Sequence, residues 1–196
     1  MYRSLNLPAR PVRCALVLAA LIVAGGCDSC LRPGNANSWS KMYSGDGKIV
    51  DISQPSGWFG SKGYLIEFAP FDLDKPFHAV YRLEGMPEVG RSKADVRLLV
   101  DERISDSLKN SLVGRFTVDL RDHSDLPTLS MSERLRDLIW SSPIHGRRGY
   151  ALYSLEHSSF AFRTKSRYTL TVDYSGDPQL SGKGGWVYIL VACGGS

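Results

Sequence analysis

The chain has 196 residues, is 43% hydrophobic, and carries 24 Lys+Arg against 20 Asp+Glu. It is too apolar for a disordered chain and long enough for one domain with a real core. Three of the basic residues, Arg3, Arg10 and Arg13, sit at the extreme N-terminus. Without them the count is 21 against 20, a net charge of +1. That balance excludes the concentrated cationic face that a nucleic-acid partner needs.

In chain order, the three arginines precede an apolar run from Ala15 to Val23, which ends in Ala24-Gly25-Gly26-Cys27. A basic start, an apolar middle and a small-residue exit are the parts of a secretion signal. The run is well short of the ~20 residues that span a ~30 Å hydrocarbon core, and no later segment is apolar for long enough. With Gly25 and Gly26 before Cys27, this stretch resembles the lipobox of bacterial lipoprotein precursors. Ala24 departs from it, since leucine is commonest there, and leaves open cleavage by the ordinary signal peptidase. The resemblance covers about the first 30 residues. It implies removal of 1–26 and acylation of Cys27, with the membrane as partner through lipid. Each buried CH₂ of such a chain contributes roughly 0.8 kcal/mol to membrane binding. It also implies a domain in the periplasm of a cell envelope. Asp28 resembles the inner-membrane retention signal of enteric bacteria, but the choice between inner and outer membrane stays open.

Residues 27–45 read as the lipidated N-terminus and a short tether, Pro/Gly-marked between Asp28 and Ser40. Fully extended, such a tether reaches on the order of 40 Å. Once Cys14 is removed and Cys27 acylated, Cys30 and Cys193 remain. An oxidising compartment favours their pairing, although both lie near chain ends and each can equally stand as a thiol.

From residue 46 to 196 the pattern becomes that of a single domain. Phe77, Ala79, Tyr81 and Leu83 alternate with His78 and Arg82. Phe116, Val118 and Leu120 alternate with Thr117, Asp119 and Arg121, and Tyr168, Leu170, Val172 and Tyr174 with Thr169, Thr171 and Asp173. Period two with one wet face predicts antiparallel strands. Further strands are predicted over Tyr64 to Phe68, Val96 to Val100 and Tyr150 to Leu155. Trp186 to Cys193, apolar on both faces, predicts a central covered strand. Ser130 and Glu133 have capping-box spacing, and Met131, Leu135, Leu138 and Ile139 follow on one helical face, which predicts a short helix near 131–140. Ile104, Leu108 and Leu112 fit either a second short helix or a loop. The expected fold is mainly β: a single antiparallel β-sandwich of immunoglobulin-like or jelly-roll type.

Motifs that would name an activity are missing: no G-x-S-x-G, no H-E-x-x-H, no phosphate-cradling or dinucleotide glycine loop. No cofactor is implied. Two cysteines and four scattered histidines lack the spacing of a zinc set, and Asp72 with Asp74 is too sparse for a calcium loop. Asp122-His123-Ser124-Asp125 is the best catalytic fragment, a histidine among carboxylates, yet neighbours in one turn rarely form a working triad. No residue is assigned as catalytic. His78 and His157 read as surface histidines, and His145, in a Pro/Gly loop, has no stronger claim.

Binding is easier to place. Trp58 and Phe59 stand in a loop of turn formers, suited to a sugar ring or a protein partner, or to plugging the end of their own core. Arg147 and Arg148 can meet phosphate or carboxylate, or simply be solvated. The body resembles the uncharacterised single-domain envelope lipoproteins of Gram-negative bacteria, a likeness that transfers no active site. The expected role is a non-catalytic binding module for a protein or glycan partner. A small hydrolase using His123, or an immunity lipoprotein that neutralises a toxin, is the alternative.

Overall fold

The computed structural model describes residues 39–51, 63–87, 92–101, 104–141, 150–153, 159–160 and 166–193. Its strands are β1 (Lys48–Asp51), β2 (Gly63–Glu67), β3 (Phe71–Asp72), β4 (Phe77–Glu84), β5 (Ser92–Val100), β6 (Arg115–Asp122), β7 (Pro127–Arg134), β8 (Ile139–Ser141), β9 (Tyr150–Tyr153), β10 (Ser159–Phe160), β11 (Arg167–Tyr174) and β12 (Gly184–Cys193). They form two antiparallel sheets packed as a β-sandwich. The larger runs β1-β2-β12-β5-β9-β8, with β3 also on β12 and β10 also on β5; the smaller runs β4-β11-β6-β7.

Alternation explains the layering. Phe116, Val118 and Leu120 of β6 and Tyr168, Leu170, Val172 and Tyr174 of β11 face inward and are buried. They meet Tyr64, Ile66, Val96, Leu98, Val187, Ile189 and Val191 of the larger sheet in one core. β12 lies between β2 and β5, and its apolar character on both faces follows from that place. Tyr188 and Leu190, on its other face, join Leu65 and Leu99 in a second buried cluster. A strand covered on both faces has no position where a polar residue is cheap.

The helix expected near 131–140 is not there. Residues 127–134 are strand β7, followed by a 3₁₀ turn at Leu135–Asp137 and then β8. The same residues carry a second, period-two pattern: Leu129 and Met131 are buried while Ser130 and Ser132 are exposed. The hairpin turn decides between the two patterns. Asp122 Oδ1 accepts the backbone N–H groups of Ser124 and Leu126, Asp125 takes a φ of 59°, and the chain returns with Met131 opposite Val118 and Leu129 opposite Leu120. Seven paired residues outweigh a single capping-box spacing. The complete α-helix among the described residues is α1 (Asp106–Ser111), capped by Ser105, whose hydroxyl accepts from the Leu108 amide at 3.3 Å. Ile104 and Leu112 flank it as buried residues and Leu108 is half-buried, so the spacing left open between helix and loop is a helix.

The packed body also starts earlier than residue 46. Trp39, which composition places in the tether, is buried in the core, its ring 5.1 Å from that of Tyr64.

At one end of the sandwich a fully buried carboxylate closes the structure. Asp177 Oδ2 accepts the amides of Val113 at 2.7 Å and Gly114 at 2.8 Å, and Oδ1 accepts that of Gln179 at 3.1 Å. Its own amide donates to the Leu73 carbonyl at 2.9 Å, which also accepts the Tyr174 hydroxyl at 2.8 Å. Hydrogen bonds to a charged acceptor each contribute about 1.5 to 3 kcal/mol, and buried donors left bare cost more. Asp177→Ala should therefore lower the unfolding free energy by about 3 kcal/mol or more. Asp177→Asn, which keeps one acceptor oxygen, should fall between. Urea midpoints for the two variants check this; an Asp177→Ala midpoint equal to that of the natural chain would refute it.

Candidate functional site

Most of the residues singled out in the sequence, Cys27, Cys30, Trp58, Phe59, Arg147, Arg148, His145 and His157, lie outside the described residues. Cys193 ends β12, where its backbone faces Ser92, and its pairing with Cys30 lies outside them too. Two histidines are described. His78 is exposed on the outer face of β4, its Nδ1 2.6 Å from Asp173 Oδ1. His123 is exposed at the tip of the β6–β7 turn. The carboxylates beside it serve that turn: Asp122 holds two backbone amides, and Asp125 Oδ1 lies 3.5 Å from Arg121 Nη1. The acidic bend at Asp72 and Asp74 is closed by Lys75, whose Nζ donates to Asp72 Oδ2 at 2.6 Å, and by Ser181, whose hydroxyl donates to Asp74 at 3.4 Å.

The two sheets present unlike outer faces. On the smaller sheet, in-register rows carry His78, Asp173, Thr117 and Ser132, then Val80, Thr171, Asp119 and Ser130. The Thr117 and Ser132 hydroxyls are 2.9 Å apart and Arg121 Nε donates to Asp119 at 2.6 Å. This is a solvated face. On the larger sheet, an Arg97–Asp95 ion pair at 2.9 Å lies among the buried Leu65, Leu99, Tyr188 and Leu190, with side chains only 15% and 21% exposed. Burial raises the Tyr188 hydroxyl pKa, and the Arg97 guanidinium beside it opposes that shift.

Between the faces, along the edge formed by β4, the described residues leave a partly exposed margin lined with aromatic rings. Phe77, Ala79 and Tyr81 point inward from β4, but as residues of an edge strand they are only half-buried. Phe71 stacks on Phe77 with ring centroids 4.1 Å apart and planes within 9°, and Phe68 meets Tyr81 at 4.2 Å. Tyr43 adds a ring whose hydroxyl donates to the Asp46 carbonyl. Ser44 and Asp46 cover part of this edge: the Ser44 amide donates to the Glu84 carbonyl at 3.1 Å and the Asp46 amide to the Arg82 carbonyl at 2.7 Å. The Arg82 amide in turn donates to Asp46 Oδ2 at 2.8 Å. The approach is so close that a Cβ on Gly45 would collide with the Arg82 carbonyl. Gly47, at a φ of 91°, then turns the chain away into β1 of the other sheet. Val80, 53% exposed, remains on the uncovered part.

Alternation identifies β4 as a strand but not as an edge, so this side of the molecule was not legible as a site. Its signals are Phe68-Ala69-Pro70-Phe71, two aromatics around a proline, and the glycines of Ser44-Gly45-Asp46-Gly47.

No family model matches the chain, and no curated protein matches it. Among solved structures, an arabinose-bound GH51 α-L-arabinofuranosidase is 12% identical over 84% of this chain, with a TM-score of 0.26. The chain spans 25% of that protein's length. A superposition that loose establishes neither fold nor activity.

Three buried or half-buried tyrosines have a consequence for alkaline stability. Burial first, and the nearby Asp46 second, raises the Tyr43 pKa above the usual tyrosine value; burial first, then Asp177 and Asp74, does the same for Tyr174. Burial likewise raises Tyr64. An acid whose pKa is higher folded than unfolded keeps its proton longer when folded. The stabilisation is then complete below the unfolded value of about 10 and is lost as pH rises from there towards the folded value. Stability should fall from about pH 10 upward. These hydroxyls should ionise only as the protein unfolds, read by ultraviolet absorbance beside circular dichroism. Full tyrosine ionisation in the folded state near pH 10 would contradict it.

Proposed function

We propose that the chain is a lipid-anchored, non-catalytic binding module of a bacterial cell envelope, which captures a protein or glycan partner. The open aromatic side of the sandwich along β4 carries this reading. A fold that leaves Phe77 and Tyr81 half-buried on one edge, while covering both faces of β12, keeps apolar surface where a partner can reach it. Support for the anchor comes from the sequence: Ala24-Gly25-Gly26-Cys27 after a short apolar run, with acyl chains on Cys27 holding the domain in the periplasm. Trp58, Phe59, Arg147 and Arg148 are further contact candidates. The immunity-lipoprotein reading is a special case, in which the captured partner is a toxin. The hydrolase reading gains nothing from geometry, since Asp122 and Asp125 beside His123 are engaged in the turn.

Two measurements test the proposal. Expressed in a Gram-negative host, the natural chain should incorporate labelled palmitate and enter the detergent phase. Cys27→Ala should lose the label and at least the greater part of the partitioning; a label that survives the change would refute the anchor. For the site, a photo-crosslinking residue at Val80 should capture one dominant species in intact envelopes. The same residue at Leu126, 61% exposed at the distant hairpin, should not. Equal capture from both positions would overturn β4 as the binding side.

A further inference from the structure

We infer that the uncovered half of β4 receives an extended polypeptide segment from a protein partner, which adds antiparallel to β4 as a fifth strand of the smaller sheet. The inference rests on the binding-module reading and names the class of partner.

In an antiparallel strand the backbone groups of successive residues point to opposite sides. The N–H and C=O of Arg82 and the C=O of Glu84 are taken by Asp46 and Ser44, on the side away from β11. His78 and Val80 share that parity, so their four backbone groups point off the sheet as well. Among the described residues nothing bonds them. An unpaired row of this kind is a template for another strand.

An added strand would continue a pairing already made. Ser44 opposes Glu84 and Asp46 opposes Arg82, so residues 44–46 lie on this edge antiparallel to β4. Two residues on, the same track would meet Val80, and two more on, His78. Gly47 takes the chain off it, placing Lys48 opposite Glu67 in the other sheet. The edge is thus built to accept an antiparallel neighbour, and the described residues supply it for only half the length.

Ring geometry favours polypeptide over glycan. Phe71 lies flat on Phe77, and Phe68 packs on Tyr81 at a tilt of 30°, so each of these four rings already has a neighbour against one face. A sugar ring stacks on a free face, whereas an aliphatic side chain packs well against ring edges. Ala79, the smallest inward residue of the strand, lies between Phe77 and Tyr81. A partner residue opposite Ala79 would point its side chain to the same inward face, between two aromatic residues, so an apolar residue is required there. Its two neighbours, opposite Val80 and His78, would lie on the hydroxyl-rich outer face, where threonine or another polar residue fits.

The test uses the full mature chain in detergent micelles and a capped peptide, Lys-Thr-Thr-Leu-Thr-Thr-Glu, whose leucine is placed for Ala79. Amide hydrogen exchange is followed at His78 and Val80. Saturating peptide should slow both amides about tenfold. N-methylation of the peptide's third or fifth residue, whose N–H groups would face β4, should abolish the effect, and N-methylation of its leucine should not. Val80→Pro removes one edge donor at a position where an edge strand tolerates proline. It should abolish peptide binding with little change in the thermal midpoint; if that variant does not fold, the N-methyl series still decides. Unchanged exchange at millimolar peptide would overturn strand addition and leave the envelope cross-link from Val80 to judge the module reading separately. Protection that appears with protein concentration alone would overturn the foreign segment in favour of β4 pairing with a second copy. Chitohexaose or cellohexaose that shifts the Tyr43 and Tyr81 resonances, with both edge amides unaffected, would overturn it in favour of a glycan.

Discussion

The buried carboxylate of Asp177 is the interaction on which one end of the sandwich depends. Three connections that share no sequence proximity converge on it: the exit of α1 at Val113 and Gly114, the turn before β4 at Leu73, and the link from β11 to β12 at Gln179. Each brings backbone amides or carbonyls into a place without solvent, where an unpaired polar group is costly. One side chain with two acceptor oxygens and its own amide satisfies them together. Gly114 allows it, since a Cβ there would lie 3.0 Å from the Tyr174 hydroxyl and 3.1 Å from Asp177 Cβ.

How much of this was legible follows from which forces are local. β4, β6 and β11 announce themselves because each has one wet face, and β12 because it has none. Residues 127–141 mislead because two periods coexist there, and the one that prevails is set by the Asp122 turn and by partners on β6 that a one-dimensional reading does not weigh. Trp39 misleads for a similar reason: its polar neighbours suggest a tether, while a single large ring suffices to pin the segment to the core. The strands β3 and β10, two residues each, carry no period at all. Asp177 did leave a local mark, an N-capping aspartate directly before Pro178.

The opening along β4 was illegible for a deeper reason. Phe77 and Tyr81 look the same in sequence whether their strand is central or at an edge, because alternation reports which face is buried and not what lies beside the strand. Only the strand order reveals that β4 has one neighbouring strand among the described residues, and only the path of residues 44–47 shows how much of the other side they take. The unlike outer faces of the two sheets belong to the same logic. The larger sheet buries an ion pair among leucines, while the smaller spreads hydroxyls and charges in open rows. A strand added to the smaller sheet meets a wet surface on one side and aromatic rings on the other, the same division that β4 itself displays.

The burial of Trp39 also bears on mechanics. With acyl chains on Cys27 as proposed, any drag between membrane and partner is a tension applied along residues 28–38. Among the described residues, the first fixed point on that line is the indole packed against Tyr64 of β2, next to β12 in the larger sheet. Load therefore passes into the most heavily covered part of the molecule before it reaches Ser44 and Asp46. The hydrogen bonds of those residues to β4 lie behind this clamp, so a partner on that edge, as proposed, would be insulated from the pull of the proposed anchor.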